Sequence, residues 1–262
     1  MHQFDRDVLV TPLRSKCYSR PVTANWSING VPNGGYLLAI MANAMLQCNQ
    51  KTTAAILTAN YLNRCEPGDA TVLVDKMATS RQFDRSQATL IQNGEEKIRA
   101  FGTFAIEKIE GLLDSCEDKS LEITELENCV PVTAMPNYTL FDQLDVILDP
   151  ISAGWLSGNL SDRSESKGWI RFKNERPFDF LSILLIADSF PPAVLSTQGP
   201  AWVPSLEFSV NIRSIPKTKL LKCLFRTRFI TCGMLEEDGE IWDQNGELVA
   251  ISRQIAQYQA PK

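Results

Sequence analysis

Hydrophobic and polar positions along this chain trace one series of elements twice. An apolar helical run, YLLAIMANAM (Tyr36 to Met45), is followed by strand-like segments and closes on an Asn93-Gly94 hairpin signal. Near the other end, LSILLIADSF (Leu181 to Phe190) opens the same series, which closes on Asn245-Gly246. Laying Tyr36 on Leu181 sets Ala42-Asn43 opposite Ala187-Asp188. Two copies are too few for a solenoid, so the repeat implies paired units.

Strands are expected around Val8-Leu9-Val10 and Trp26-Ser27-Ile28, and near 55–63, 70–79, 85–92 and 97–106. Pro32, Asn33, Gly34 and Gly35 form a turn that launches the first helix. Asn93-Gly94 suits a type I′ hairpin, whose central residues need positive φ. From about Glu110 to Pro136 the chain turns acidic without a sustained period, as in a linker. The second half opens with Leu140 to Leu148 and Trp155-Leu156. A polar loop (Ser157 to Lys167) and a strand at Trp169 to Phe172 follow. Its helix is expected from Asp179 to Ser189, stopped by Pro191-Pro192. Leu206, Phe208, Val210 and Ile212 then alternate with Ser205, Glu207, Ser209, Asn211 and Arg213, the pattern of a half-buried strand. Further strands are expected at about 219–231, 234–243 and 247–257. One helix followed by an antiparallel meander, done twice, gives an α+β class. In it each of two antiparallel sheets wraps around a central helix. The division expected is 1–112, a linker over 113–139, and 140–262.

Composition narrows the function. The 262 residues are 44% hydrophobic and 22% charged, enough for a sizeable core. A net charge of -5 argues against general nucleic-acid binding. No apolar run approaches the roughly 20 residues of a membrane helix, and MHQFDRDVLV lacks the apolar core of a signal peptide. The seven cysteines are scattered, with no CxxC pair, and read as reduced, mostly buried thiols of a cytoplasmic protein. The sequons headed by Asn25, Asn137 and Asn159 then stay unglycosylated. The one histidine, His2, lies at a terminus expected to fray. Mechanisms built on a positioned imidazole are thereby set aside, along with most histidine-ligated metals. The chain also has no GxSxG, GxxxxGK[ST] or HExxH. Carboxylates, hydroxyls, amides and backbone dipoles remain.

The element order resembles a double hotdog. FDFLSILLIADSFPPAV, GPAWVPSLEFSVNIR and ELVAISRQIA in the second half look like the acyl-CoA thioesterase II-like family, as do NGGYLLAIMANA and TANYLNRCEPGDATV in the first. In that family an Asp near the end of the second central helix, a Thr or Ser on the following strand and a Gln on the last strand hold the attacking water. Carried across, these are Asp188, Ser205 and Gln254. The resemblance implies hydrolysis of acyl-CoA to a free acid and CoA, with no metal or organic cofactor and at least a dimer. A non-catalytic acyl-binding protein with a relic site is the alternative. A hotdog dehydratase is disfavoured because it normally uses a histidine.

The residues themselves weigh as follows. Asp188 falls seven places after Leu181, on the stripe of Leu184 and Leu185, and so points inward. It also meets the negative end of its helix dipole, at roughly 0.3–1 kcal/mol. Both effects raise a carboxyl pKa and equip the group as a base; a plain helix-end Asp bonded to a loop is the alternative. Alternation sets Ser205 on the polar face, which serves chemistry only if that face lines the seam between halves. For Gln254 the alternative is a surface glutamine. Asn43, the counterpart of Asp188, is no base, so one working site per chain is expected. Asn33, Gly34 and Gly35 offer backbone N–H groups to a thioester oxygen, or simply make a turn. Arg213, Lys217, Lys219 and Lys222 form a basic cluster read as solvated strand-end charges rather than a CoA site.

Overall fold

The computed structural model describes residues 1–106, 111, 113–117 and 121–260. In the first half these form α1 (Gln3–Val8), β1 (Thr11–Arg14), β2 (Cys17–Ser19), β3 (Ser27–Ile28), β4 (Val31–Pro32), α2 (Gly34–Leu46), β5 (Thr53–Tyr61), β6 (Thr71–Thr79), β7 (Phe83–Gln92) and β8 (Glu95–Ala105). The second half adds β9 (Val130–Pro131), α3 (Leu140–Gln143), β10 (Leu144–Leu148), β11 (Ser164–Phe172), α4 (Phe180–Ile186), α5 (Leu195–Gln198), β12 (Ser205–Ile212), β13 (Leu221–Thr227), β14 (Ile230–Thr231), β15 (Met234–Asp243) and β16 (Leu248–Gln257).

The repeat is present as a helix wrapped by antiparallel strands in each half. The two sheets are not separate, however. They join edge to edge where β5 pairs with β12 through Asn60↔Glu207 to Ile56↔Asn211. The result is one fourteen-stranded sheet in the order β1-β2-β6-β7-β8-β5-β12-β16-β15-β13-β11-β10-β9, with β14 beside β15. Pairing two central edges hides backbone groups that would otherwise invite other strands. In α2 every residue from Gly35 to Met45 is buried, which explains an apolar run with no polar face. The two central helices meet closely at Gly35, where an added Cβ would stand 2.3 Å from the Leu184 carbonyl oxygen. Only glycine permits that approach. No helix among the described residues is long and apolar enough to cross a membrane.

Several expectations need correcting. His2 is not frayed: its ring accepts from the Phe4 amide as the N-cap of α1, contacts the Asn174 carbonyl and meets Phe172 edge to face. Val8 ends a helix rather than forming a strand. The expected linker is partly structured, since Val130–Pro131 pairs with β10 at the sheet edge. Residues 107–110, 112 and 118–120 of that region lie outside the described residues. Asn93 and Gly94 both take positive φ, at 53° and 78°, as a type I′ turn requires. At the second turn only Gly246 does, because Asp243 closes it by accepting from the Asn245 and Glu247 amides. Of the cysteines, Cys17, Cys65 and Cys223 are buried, whereas Cys116 and Cys232 are exposed.

Candidate active site

Asp188 reaches its position because α4 stops early. The helix ends at Ile186, and Asp188 and Ser189 donate to Leu185 and Ile186, three residues back. This tightened turn carries Asp188 beyond the helix, short of Pro191-Pro192, which cannot continue it. The expected dipole penalty from α4 is only part of its setting. Its Oδ2 accepts from the Gly35 amide at 2.9 Å, at the start of α2 in the other half. Asn33 bridges the same junction. Its Oδ1 caps α2 by accepting from the Tyr36 amide at 2.9 Å, and its Nδ2 donates to the Asp188 carbonyl at 2.6 Å. Burial is the dominant influence and pushes the Asp188 carboxyl up to about 6, against the pull of the Gly35 and Gly34 amides and the Gln254 and Asn33 side chains. A carboxyl poised there is mostly ionised at neutral pH and is chemically able to accept a proton.

Ser205 shows what a β-bulge does. Strict alternation sets it outward with Glu207, but the register shifts between Ser205 and Glu207, so that Ser205 lies opposite Ala256. Ala256 is buried, whereas Leu206, the residue expected inside, is 40% exposed. One extra residue thus turns Ser205 toward the interior. Gln254 pairs with the buried Phe208 and shares the inner face of β16 with Ala250 and Ala256. Its Nε2 donates to Ser205 Oγ and, at 3.4 Å, to Asp188 Oδ1. The three sequence-derived residues, drawn from a turn and two strands, therefore meet on one amide.

They line a cavity of about 580 Å³ together with Asn33 and Gly34. Its walls are largely apolar and aromatic, including Leu37, Tyr138, Phe141, Trp155 and Trp202. Such a space takes a flexible apolar chain, with polar groups gathered at one place to fix a reacting bond. No histidine lines it.

Both halves match sequence profiles: residues 22–105 that of the acyl-CoA thioesterase N-terminal domain, and residues 126–258 that of the C-terminal domain. The chain belongs to the acyl-CoA thioesterase family. Solved structures agree in fold along the whole length. A hot dog fold protein from Alicyclobacillus acidocaldarius is 21% identical with a TM-score of 0.89, covering 100% of both chains. A candidate thioesterase II from Thermobifida fusca is 22% identical with a TM-score of 0.88, covering 98% of each. An acyl-CoA thioesterase II from Mycobacterium marinum is 16% identical with a TM-score of 0.78, covering 99% of each. No curated protein matches the chain in sequence.

Some pocket residues escaped the sequence reading. Glu237, on β15 opposite Gln254, is a second buried carboxylate in this cavity. It accepts from the Ala193 amide at 2.5 Å. Burial, with Asp188 adding to it, pushes its carboxyl up to about 7. Tyr61 and Arg64 come from the end of β5 and the loop beyond. Glu237 sits at an inward position of a regular alternation, which is a usable signal; Tyr61 carries none. Two sequence candidates lie elsewhere. Asn43 is buried in α2 but does not line the cavity. In the basic cluster Lys219 pairs with Glu175 at 2.6 Å and Lys222 lies over the Trp169 ring.

Proposed function

We propose that the chain hydrolyses acyl-CoA thioesters to a free carboxylic acid and CoA, using water activated by Asp188. The observation that carries this reading is the shared amide: Gln254 Nε2 ties Asp188 Oδ1 to Ser205 Oγ at the polar end of an apolar cavity. Water held among these groups donates to the Asp188 carboxylate while Ser205 and Gln254 fix its orientation. As its oxygen attacks the thioester carbon, Asp188 takes the proton and the carbonyl π pair moves onto oxygen. Collapse of this intermediate breaks the C–S bond, and Asp188 returns the proton to the thiolate. Acid and CoA leave, and the carboxylate is restored. No metal or organic cofactor enters these steps.

A panel of acyl-CoAs from acetyl to palmitoyl, assayed by thiol release, tests the reading and ranks chain length. Asp188→Asn should lower the best rate by about 10²–10⁴-fold, as loss of a general base does. Unchanged turnover in purified Asp188→Asn would refute the assignment. Thermal stabilisation by acyl-CoA without thiol release from the parent would replace it with acyl binding alone.

A further inference from the structure

Hydrolysis of a thioester needs a donor for the oxygen that becomes negative, and the first candidates are occupied. The Gly35 amide is bonded to Asp188 Oδ2, and the Asn33 amide side chain to the Asp188 carbonyl. Of the side chains lining the cavity, Tyr61 is the one whose buried polar atom, the hydroxyl oxygen, is left without a hydrogen-bond partner among the described residues. A buried tyrosine hydroxyl normally finds one, so its orphan state calls for an explanation.

The position of that hydroxyl supplies it. A Cβ added at Gly34 would stand 2.8 Å from the Tyr61 hydroxyl oxygen and 3.0 Å from Asp188 Oδ2. Donor and base therefore flank the same small space, which only a glycine at the start of α2 leaves open. Tyr61 is held there by regular pairing. It ends β5 opposite Ile98, one residue beyond the Asn60↔Glu207 pair of the seam, so the first half delivers it beside Ser205 of the second.

Resting on the thioesterase reading above, we propose that Tyr61 is a further catalytic residue, donating a hydrogen bond to the thioester carbonyl oxygen and to the oxyanion that replaces it. The phenol donates without giving up its proton. Burial and the neighbouring Asp188 carboxylate hold it well above its ordinary pKa, so it stays a donor at any working pH. As charge develops on the substrate oxygen, Asp188 is neutralised by the proton it takes in the same step, and the donor comes to face one anion rather than two.

Tyr61→Phe removes the hydroxyl alone and leaves the ring in place. Thiol release should fall by about 10²–10³-fold, the usual effect of one oxyanion donor, with KM changed less than about threefold. The melting temperature should hold or rise, since an unpaired buried hydroxyl is lost. Binding of two unreactive CoA analogues separates recognition from shape. A ketone analogue with CH2 in place of sulfur should bind more weakly to the variant, and a thioether analogue lacking the carbonyl should bind equally well to both. A rate within threefold of the parent, or equal weakening of both analogues, would overturn the proposal. If the parent releases no thiol from any acyl-CoA, the hydrolase reading falls instead. The ketone-against-thioether difference then still decides whether Tyr61 recognises a carbonyl.

Discussion

The two central helices begin in different company. At the start of α4, Asp179 and Ser182 form a reciprocal capping box, and Arg176 joins Asp179 to Asp5 at 2.5 and 2.7 Å. Every group is local or ion-paired, and the end is sealed. At the start of α2, Asn33 caps one amide, and the carboxylate that meets another is Asp188, 153 residues away in sequence. No cation pairs with Asp188 among the described residues. Carboxylates at helix N-termini are stabilised by the same dipole and amides in both places. What separates them is burial and company: Asp179 is part-exposed beside Arg176, whereas Asp188 is buried with no cation beside it, and burial pushes its carboxyl up to about 6.

The strongest way to break this contrast is to exchange the two chemical positions. Asp188→Asn should nearly silence thiol release, and adding Asn43→Asp should not restore it, since residue 43 lies outside the cavity. Recovery of turnover in the double variant would make the halves equivalent after all. Next in size is Glu237. Its raised pKa means that the folded state resists its ionisation, so the cost is present above pH 7 and relieved as pH falls toward 4.5. Glu237→Gln should therefore raise the melting temperature at pH 8 and lose that advantage near pH 4.5. The rise from 4.5 to about 7 sets an upper limit of roughly 3 kcal/mol. A gain that grows on acidification would reverse the sign and reject this account. In the same variant the acid limb of kcat/KM should still fall near pH 6, if Asp188 is the base.

Gly35→Ala tests the contact that lets α2 offer its amide at all. Its Cβ would meet the Leu184 backbone, and overpacking of this kind costs about 1–3 kcal/mol, visible as a lowered melting temperature. An unchanged melting temperature would show that the helices part easily. The smallest effect belongs to the sealed end: Asp179→Ala should lose about 1 kcal/mol of stability while turnover is kept at temperatures where the protein is folded. A turnover loss rivalling that of Asp188→Asn would mean that both helix starts serve chemistry.

Local pattern made much of the architecture readable before any coordinates. Tyr36 to Met45 and Leu181 to Phe190 are apolar beyond what an exposed helix needs, and Asn93-Gly94 is a strong turn signal. The opposition of Asn43 and Asp188 follows from that alignment alone. What escaped reading depends on pairings between distant segments. The outward-looking Ser205 is turned in by a bulge whose cause is register against β16, not its own neighbours. Gly35 meets Asp188 where the two central helices pack, and Tyr61 reaches the pocket from the strand that pairs with β12. The family resemblance named Asp188, Ser205 and Gln254, but nothing local in TANYLNRCEPGD marks Tyr61 as different from a core aromatic.

The edge-to-edge stitch between β5 and β12 has one more outcome. Neither copy of the repeat is a spare part, since the acid of one is cradled by the glycines of the other. A fragment holding only residues 1–106, or only 121–260, would carry a raw sheet border and an incomplete pocket. Mixing the two pieces, by contrast, offers each the border it lacks, making reassembly of the pair from severed halves the natural measure of how much that stitch contributes.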